Sequence, residues 1–158
     1  MNENIISQLG PLAIGARMRR LTEMFSRDVT RIYKEHGLDF DPKHFVLFYL
    51  IAERGSIGIM EAADELSFSH PAIIHMAKEL EKKDFIESVK SETDNRKRLL
   101  RLSEKGKAAL PAFKQLWDKI KQLNTSLIAT QQHHLLKSIA EMEDLLEEQS
   151  FYKRFSKL

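Results

Sequence analysis

"SHPAIIHMAKELEKKDFIESVK", residues 69–90, holds a helix start, a helix stripe and a strand in 22 residues. Ser69 offers a hydroxyl acceptor for the unpaired amides of a helix start, and Pro71 falls in the first turn, where it costs no hydrogen bond. Ile73, Met76, Ala77 and Leu80 then recur at helical spacing and form a buried stripe. His70, Ala72, His75, Lys78 and Glu79 are left on the other faces. "FIESV" (85–89) and "RLLRLS" (98–103) have strand character, and the polar segment between them makes a β-hairpin.

Upstream, Ile14, Met18, Leu21, Phe25, Val29 and Ile32 hold one face of a 3.6-residue period, which predicts a long amphipathic helix with Pro11 near its start and Gly37 at its end. Asp41-Pro42 opens a second helix, whose "FVLFYLIA" is apolar nearly all round and therefore central; Gly55 terminates it. "SIGIMEAADEL" gives a short extended piece and a short helix ending near Leu66. Downstream, Ser103 to Gly106 begins a long helix that Pro111 should kink or delay. A last helix from about Gln131 carries Leu135, Ile139, Met142 and Leu146 on one stripe. Trp117, the sole tryptophan, reads as core or interface. The long amphipathic ends present more apolar stripe than a small domain can cover, which predicts a helical dimer.

The 158 residues are 42% hydrophobic and 30% charged, enough to build one core. The net charge of +2 is small, but it is unevenly spread. Residues 90–107 hold Lys90, Arg96, Lys97, Arg98, Arg101, Lys105 and Lys107 against Glu92, Asp94 and Glu104, whereas residues 141–148 hold five acids and no base. At close range the basic patch governs what the protein attracts. The absence of cysteine excludes disulfides and thiolate chemistry. With no signal-peptide pattern and no apolar run of about 20 residues, a cytoplasmic protein without a membrane partner is expected. No Gly-rich phosphate loop, Gly-x-Ser-x-Gly elbow or His-Glu-x-x-His pattern is present, so a non-enzyme is expected. His70 and His75 are five apart, and His133 and His134 diverge on a helix, so no metal or cofactor is expected.

Helix, helix, serine-capped helix, strand, charged turn and strand is the winged helix-turn-helix order. The fold expected is mainly α with a small β-hairpin wing, flanked by N- and C-terminal dimerisation helices. "LSFSHPAIIHMAKELEKKDFIE" followed by "TDNRKRLLRLSEKGKAAL" resembles the MarR (multiple-antibiotic-resistance regulator) family. The matching positions are Leu66, Ser69, Pro71, Leu80-Glu81-Lys82, Asp94, Arg96, Leu100, Leu102, Ser103 and Gly106. The resemblance is detailed over roughly residues 41–110. It implies one MarR-like domain over 1–158, with the winged helix-turn-helix at 38–106 and dimerisation helices at 1–37 and 107–158.

It also implies a homodimeric transcription regulator, a repressor, whose recognition helices enter successive major grooves of a pseudo-palindromic double-stranded DNA operator. Ser69, His70, Ala72, Ile73, His75 and Lys78 are the recognition-helix candidates. Arg96 is the candidate for the minor groove, braced by Asp94, because arginine suits a narrow, electronegative groove better than the more hydrated lysine. Lys90, Thr93, Asn95, Lys97 and Arg98 are the candidate phosphate contacts. Relatives often release DNA when an anionic aromatic effector binds, and Arg17, His44 and Phe48 are the corresponding candidates. Ser67 and Asp84 stand where the family commonly has glycine, Gly58 where a capping Ser or Thr is frequent, and His70 and His75 where a strong donor is frequent. The competing reading is a winged-helix module that binds only protein partners; its mark would be a wing without net positive charge.

Overall fold

The computed structural model describes residues 4–90 and 98–158. Its elements are α1 (Ile5–Gln8), α2 (Ile14–Glu35), α3 (Phe45–Arg54), β1 (Ser56–Gly58), α4 (Ile59–Leu66), α5 (His70–Lys82), β2 (Ile86–Lys90), β3 (Arg98–Leu102), α6 (Glu104–Ala129), α7 (Leu135–Glu148) and α8 (Phe151–Phe155). Short 3₁₀ turns at Gly10–Ala13 and Pro42–His44 lead into α2 and α3. The chain divides into two compact units, Met1–Ala112 and Phe113–Leu158.

In the first unit the predicted helix boundaries follow local chemistry. Asp41 accepts the Lys43 amide at 3.0 Å and opens the turn before α3. Gly37 and Gly55 follow α2 and α3 with φ of +75°, a conformation that glycine adopts without steric cost. Gly58 has no side chain to cap α4, and the Glu61 carboxylate instead accepts the Gly58 amide at 3.4 Å. Ser67 and Asp84 adopt φ of +54° and +60°, so both non-glycine departures fall in left-handed turns.

The sheet has three antiparallel strands in the order β1-β3-β2. The two-stranded hairpin expected from sequence is therefore extended by β1, the short extended piece before α4. Ile57 pairs with Leu100, and Ser88 pairs with Leu100 from the other side. Leu100 is fully buried at the centre of this sheet, and Phe48, Ile51, Ile73 and Leu80 supply the helical side of the core. Tyr33, Phe40, Phe48 and Phe85 form an edge-to-face cluster with ring centroids 5.4–5.8 Å apart, which ties the end of α2 and α3 to the root of β2.

The α2 stripe remains largely open in the single chain: Ile14, Met18 and Phe25 are 52%, 54% and 43% exposed. Among the described residues no helix is long and apolar enough to cross a membrane.

Three sequence expectations change. Of the two outcomes expected of Pro111, the late start is not seen: α6 begins at Glu104 and runs through it, because one proline removes a single backbone bond from a 26-residue helix. In the second unit α7 starts at Leu135 rather than near Gln131. Gln131 acts as an acceptor for the Leu135 amide at 3.3 Å, and His134 Nδ1 caps the helix through the Lys137 amide at 3.4 Å. A further short helix, α8, follows α7. Its Arg154 donates to the carbonyls of Gln149 (3.0 Å) and Leu145, the exposed end of α7. Phe113 and Trp117 stack with ring centroids 5.5 Å apart.

Candidate nucleic-acid interface

Ser69 caps α5, its hydroxyl accepting the Ala72 amide at 3.4 Å. The turn from α4 is closed by the Phe68 amide on the Ala63 carbonyl (3.0 Å) and the Ser67 amide on Asp64 (3.2 Å). This geometry fixes which side of α5 faces inward. Ile73, Met76, Ala77 and Leu80 are buried, as their spacing predicted. His70, Pro71, His75, Lys78 and Lys82 are exposed, with Ala72, Ile74 and Glu79 half-buried. Ile73 is thereby removed from the DNA-facing candidates: a side chain with no exposed surface is part of the core and cannot touch a base. Lys82 was missed by the sequence reasoning, although its spacing of four from Lys78 places both on one ridge of the helix.

The wing root is held by a compact set of contacts. The Ser103 hydroxyl donates to the Asp84 carbonyl, the Gly106 amide donates to the same hydroxyl at 3.0 Å, and the Ser103 amide donates to the Phe85 carbonyl at 3.2 Å. Lys105 Nζ donates to the Lys83 carbonyl at 2.6 Å and lies 4.9 Å from the Phe85 ring centroid. Lys83 in turn pairs with Asp39 at 2.8 Å, which holds the Asp39 carboxyl below its ordinary range. Gly106 is required here, since a Cβ at that position would lie 2.0 Å from the Phe85 carbonyl oxygen.

Further along the hairpin, Arg101 neutralises Glu87 at 2.8 Å across the strands. The last described pair of the ladder places Lys90 opposite Arg98, both exposed. Like charges facing each other across a ladder destabilise it by roughly 0.2–1 kcal/mol, a cost that an anion lying between them offsets. Thr93, Asp94, Asn95, Arg96 and Lys97 lie outside the described residues.

The three effector candidates are not brought together. Arg17 is exposed on α2 and lines an open depression with Pro11, Ile14, Met18 and Leu21, whereas His44 and Phe48 are not among its walls. Both of the latter are buried, with the His44 ring 6.3 Å from Phe40. Neither ring nitrogen of His44 has a hydrogen-bond partner among the described residues. Burial holds its pKa below the usual imidazole value; Asp41 and Glu79 oppose that shift, and Lys43 and Lys83 add to it. Among the described residues no three His, Asp or Glu side chains are grouped to hold a metal ion.

Fold and surface together define a winged helix-turn-helix with a polar, partly basic recognition face. Residues 40–97 match the model of the MarR family. Three solved structures share the fold. A mutant of MarR from E. coli complexed with operator DNA aligns with a TM-score of 0.64 at 20% identity, over 92% of this chain and 98% of that one. A MepR–DNA complex from S. aureus gives 0.64 at 18% identity, over 84% and 95%. A probable transcriptional regulator from Pseudomonas aeruginosa gives 0.65 at 17% identity, over 84% and 96%. No curated protein sequence matches the chain.

Proposed function

We propose that this chain is a sequence-specific DNA-binding transcription regulator, a non-enzymatic cytoplasmic repressor that binds a pseudo-palindromic operator as a homodimer. The observation that carries the reading is the pairing of two exposed surfaces in one compact unit. The outward face of α5 presents His70, His75, Lys78 and Lys82, and the wing strands carry the opposed cations Lys90 and Arg98. A helix of about this length fits the major groove, and a cationic hairpin fits phosphate or the adjacent minor groove. Solved relatives of the same fold include complexes with DNA.

In this reading Ser69, His70, Ala72, His75 and Lys78 meet the major groove, Arg96 enters the minor groove with Asp94 as its brace, and Lys90, Thr93, Asn95, Lys97 and Arg98 contact phosphate. The winged helix-turn-helix occupies 38–106, and the helices of 1–37 and 107–158 make the dimer. The exposed stripe of α2 supports the dimer, because monomers rarely leave so much contiguous apolar surface in water. An anionic aromatic effector would meet Arg17 directly, whereas His44 and Phe48 would line its site only after the core opens.

Selection of bound duplexes from a random DNA pool, repeated at two salt concentrations, tests the reading. A palindromic consensus with half-sites about one helical turn apart is the expected result. Recovery of no consensus, with salt-sensitive but sequence-blind binding or none, would favour the protein-partner module.

A further inference from the structure

The first two turns of α5 read His70, Pro71, Ala72, Ile73, Ile74, His75, Met76, Ala77. Six of these eight side chains are apolar, and the only ones able to donate or accept a hydrogen bond at a base edge are His70 and His75. Both are exposed, and among the described residues neither side chain forms a hydrogen bond or ion pair. The N-terminal residues of a recognition helix are the ones that reach the base edges. An imidazole changes its pattern with its charge, from one donor and one acceptor when neutral to two donors when protonated. The major-groove edge of guanine carries acceptors only, so a protonated ring can donate to it from whichever nitrogen faces it, one bond at a time because its two N–H bonds diverge, whereas a neutral ring has only one nitrogen able to do so.

We infer that operator recognition by this protein is proton-coupled, with His70 and His75 as its specificity-determining residues and a guanine-bearing half-site as the preferred ligand. The inference rests on the DNA-binding reading above. The charged groups around the two rings leave room for it. On α5 itself Lys78 and Glu79 lie within about a turn of His75. On α3 and α4, Arg54 is paired with Glu65, Glu61 holds the Gly58 amide, and Glu53 and Asp64 are exposed. On β2, Glu87 is paired with Arg101, and Lys90 belongs to the wing. Duplex phosphate is the large negative field that arrives on binding, and it favours the cationic ring. Histidine is the side chain that ordinarily changes charge between pH 5 and 8. Binding near neutral pH therefore takes up protons.

The test uses the full chain and duplexes recovered from random-pool selections run at pH 6.0 and at pH 7.5. Affinity for a recovered duplex is expected to rise on the order of fivefold per histidine from pH 7.5 to 6.0. Calorimetry in two buffers of different ionisation enthalpy should register proton uptake. The double variant His70→Gln, His75→Gln keeps a donor and an acceptor at each position but does not titrate. It is expected to bind with a flat pH profile and no proton uptake, and to relax the guanine preference. A flat profile in the native protein, or a pH dependence that persists in the double variant, overturns the inference while leaving the DNA-binding reading intact. Failure to recover any consensus at either pH overturns that reading and this inference with it.

Discussion

Replacing Gly106 by alanine sets two magnitudes of opposite sign against each other. In a helix interior, alanine is favoured over glycine by about 0.8–1.0 kcal/mol, so propensity alone predicts a stabilised protein. The structure predicts the reverse. The new Cβ would sit 2.0 Å from the Phe85 carbonyl oxygen and 3.0 Å from its carbon, so the backbones must separate by about 1 Å. The obstacle is backbone and cannot rotate away. That carbonyl accepts the Ser103 amide, the Gly106 amide rests on the Ser103 hydroxyl, and the same hydroxyl holds Asp84. Overpacking of this kind costs about 1–3 kcal/mol, and each strained bond about 0.5–1.5 more, against the propensity gain of about 1. The net expectation is a loss of about 1.5 kcal/mol or more. Urea denaturation at one fixed protein concentration measures it. Gly15→Ala, in α2 where a Cβ meets nothing within 4 Å, is the control and should be stabilising by up to about 1 kcal/mol. A Gly106→Ala protein as stable as the native one would refute the account of the wing root.

Ser67→Gly and Asp84→Gly should each be stabilising by up to about 1 kcal/mol, because both residues hold a left-handed backbone; lower urea midpoints would contradict this. His44 has a pKa depressed by burial, so the unfolded chain binds more protons than the folded one at mildly acidic pH. Its contribution is complete above about pH 6.5 and is lost as pH falls from there toward the folded value. His44→Leu should flatten this part of the stability profile, and an unchanged profile between pH 5 and 7.5 would exclude His44 as its source. Arg96→Ala should weaken operator binding by about 1–3 kcal/mol with the thermal transition unchanged, as read by a gel-shift titration beside a melting curve. Equal affinity would take Arg96 out of the interface.

Elements whose signal is local were legible in the sequence. Ser69, Asp41, Gly37 and Gly55 mark helix ends within a few residues, and the Ile73–Leu80 stripe declared which side of α5 turns inward. Contacts between distant segments were not legible. Ser56–Gly58 offers three residues and one buried apolar side chain, too little to announce that it pairs with a strand more than forty positions away. Gly106 stood out only as part of a serine-to-glycine motif, since its reason is a carbonyl on another element. His44 was a candidate only because relatives keep an effector pocket there, and nothing in its neighbours' spacing signals its burial beside Phe40. Ile73 served two readings at once, and burial decided between them.

The strand order β1-β3-β2 has a consequence for how the molecule comes to exist. The last strand made is the middle one, so α4 and α5 lie inside a chain loop that β3 closes by pairing with β1. Such closures are entropically costly and slow compared with helix formation. A nascent chain has both α4 and α5 sixteen residues before the strand that fastens them begins, since α5 ends at Lys82 and β3 starts at Arg98. The α4–α5 pair is therefore provisional during synthesis and is fixed only when β3 has paired.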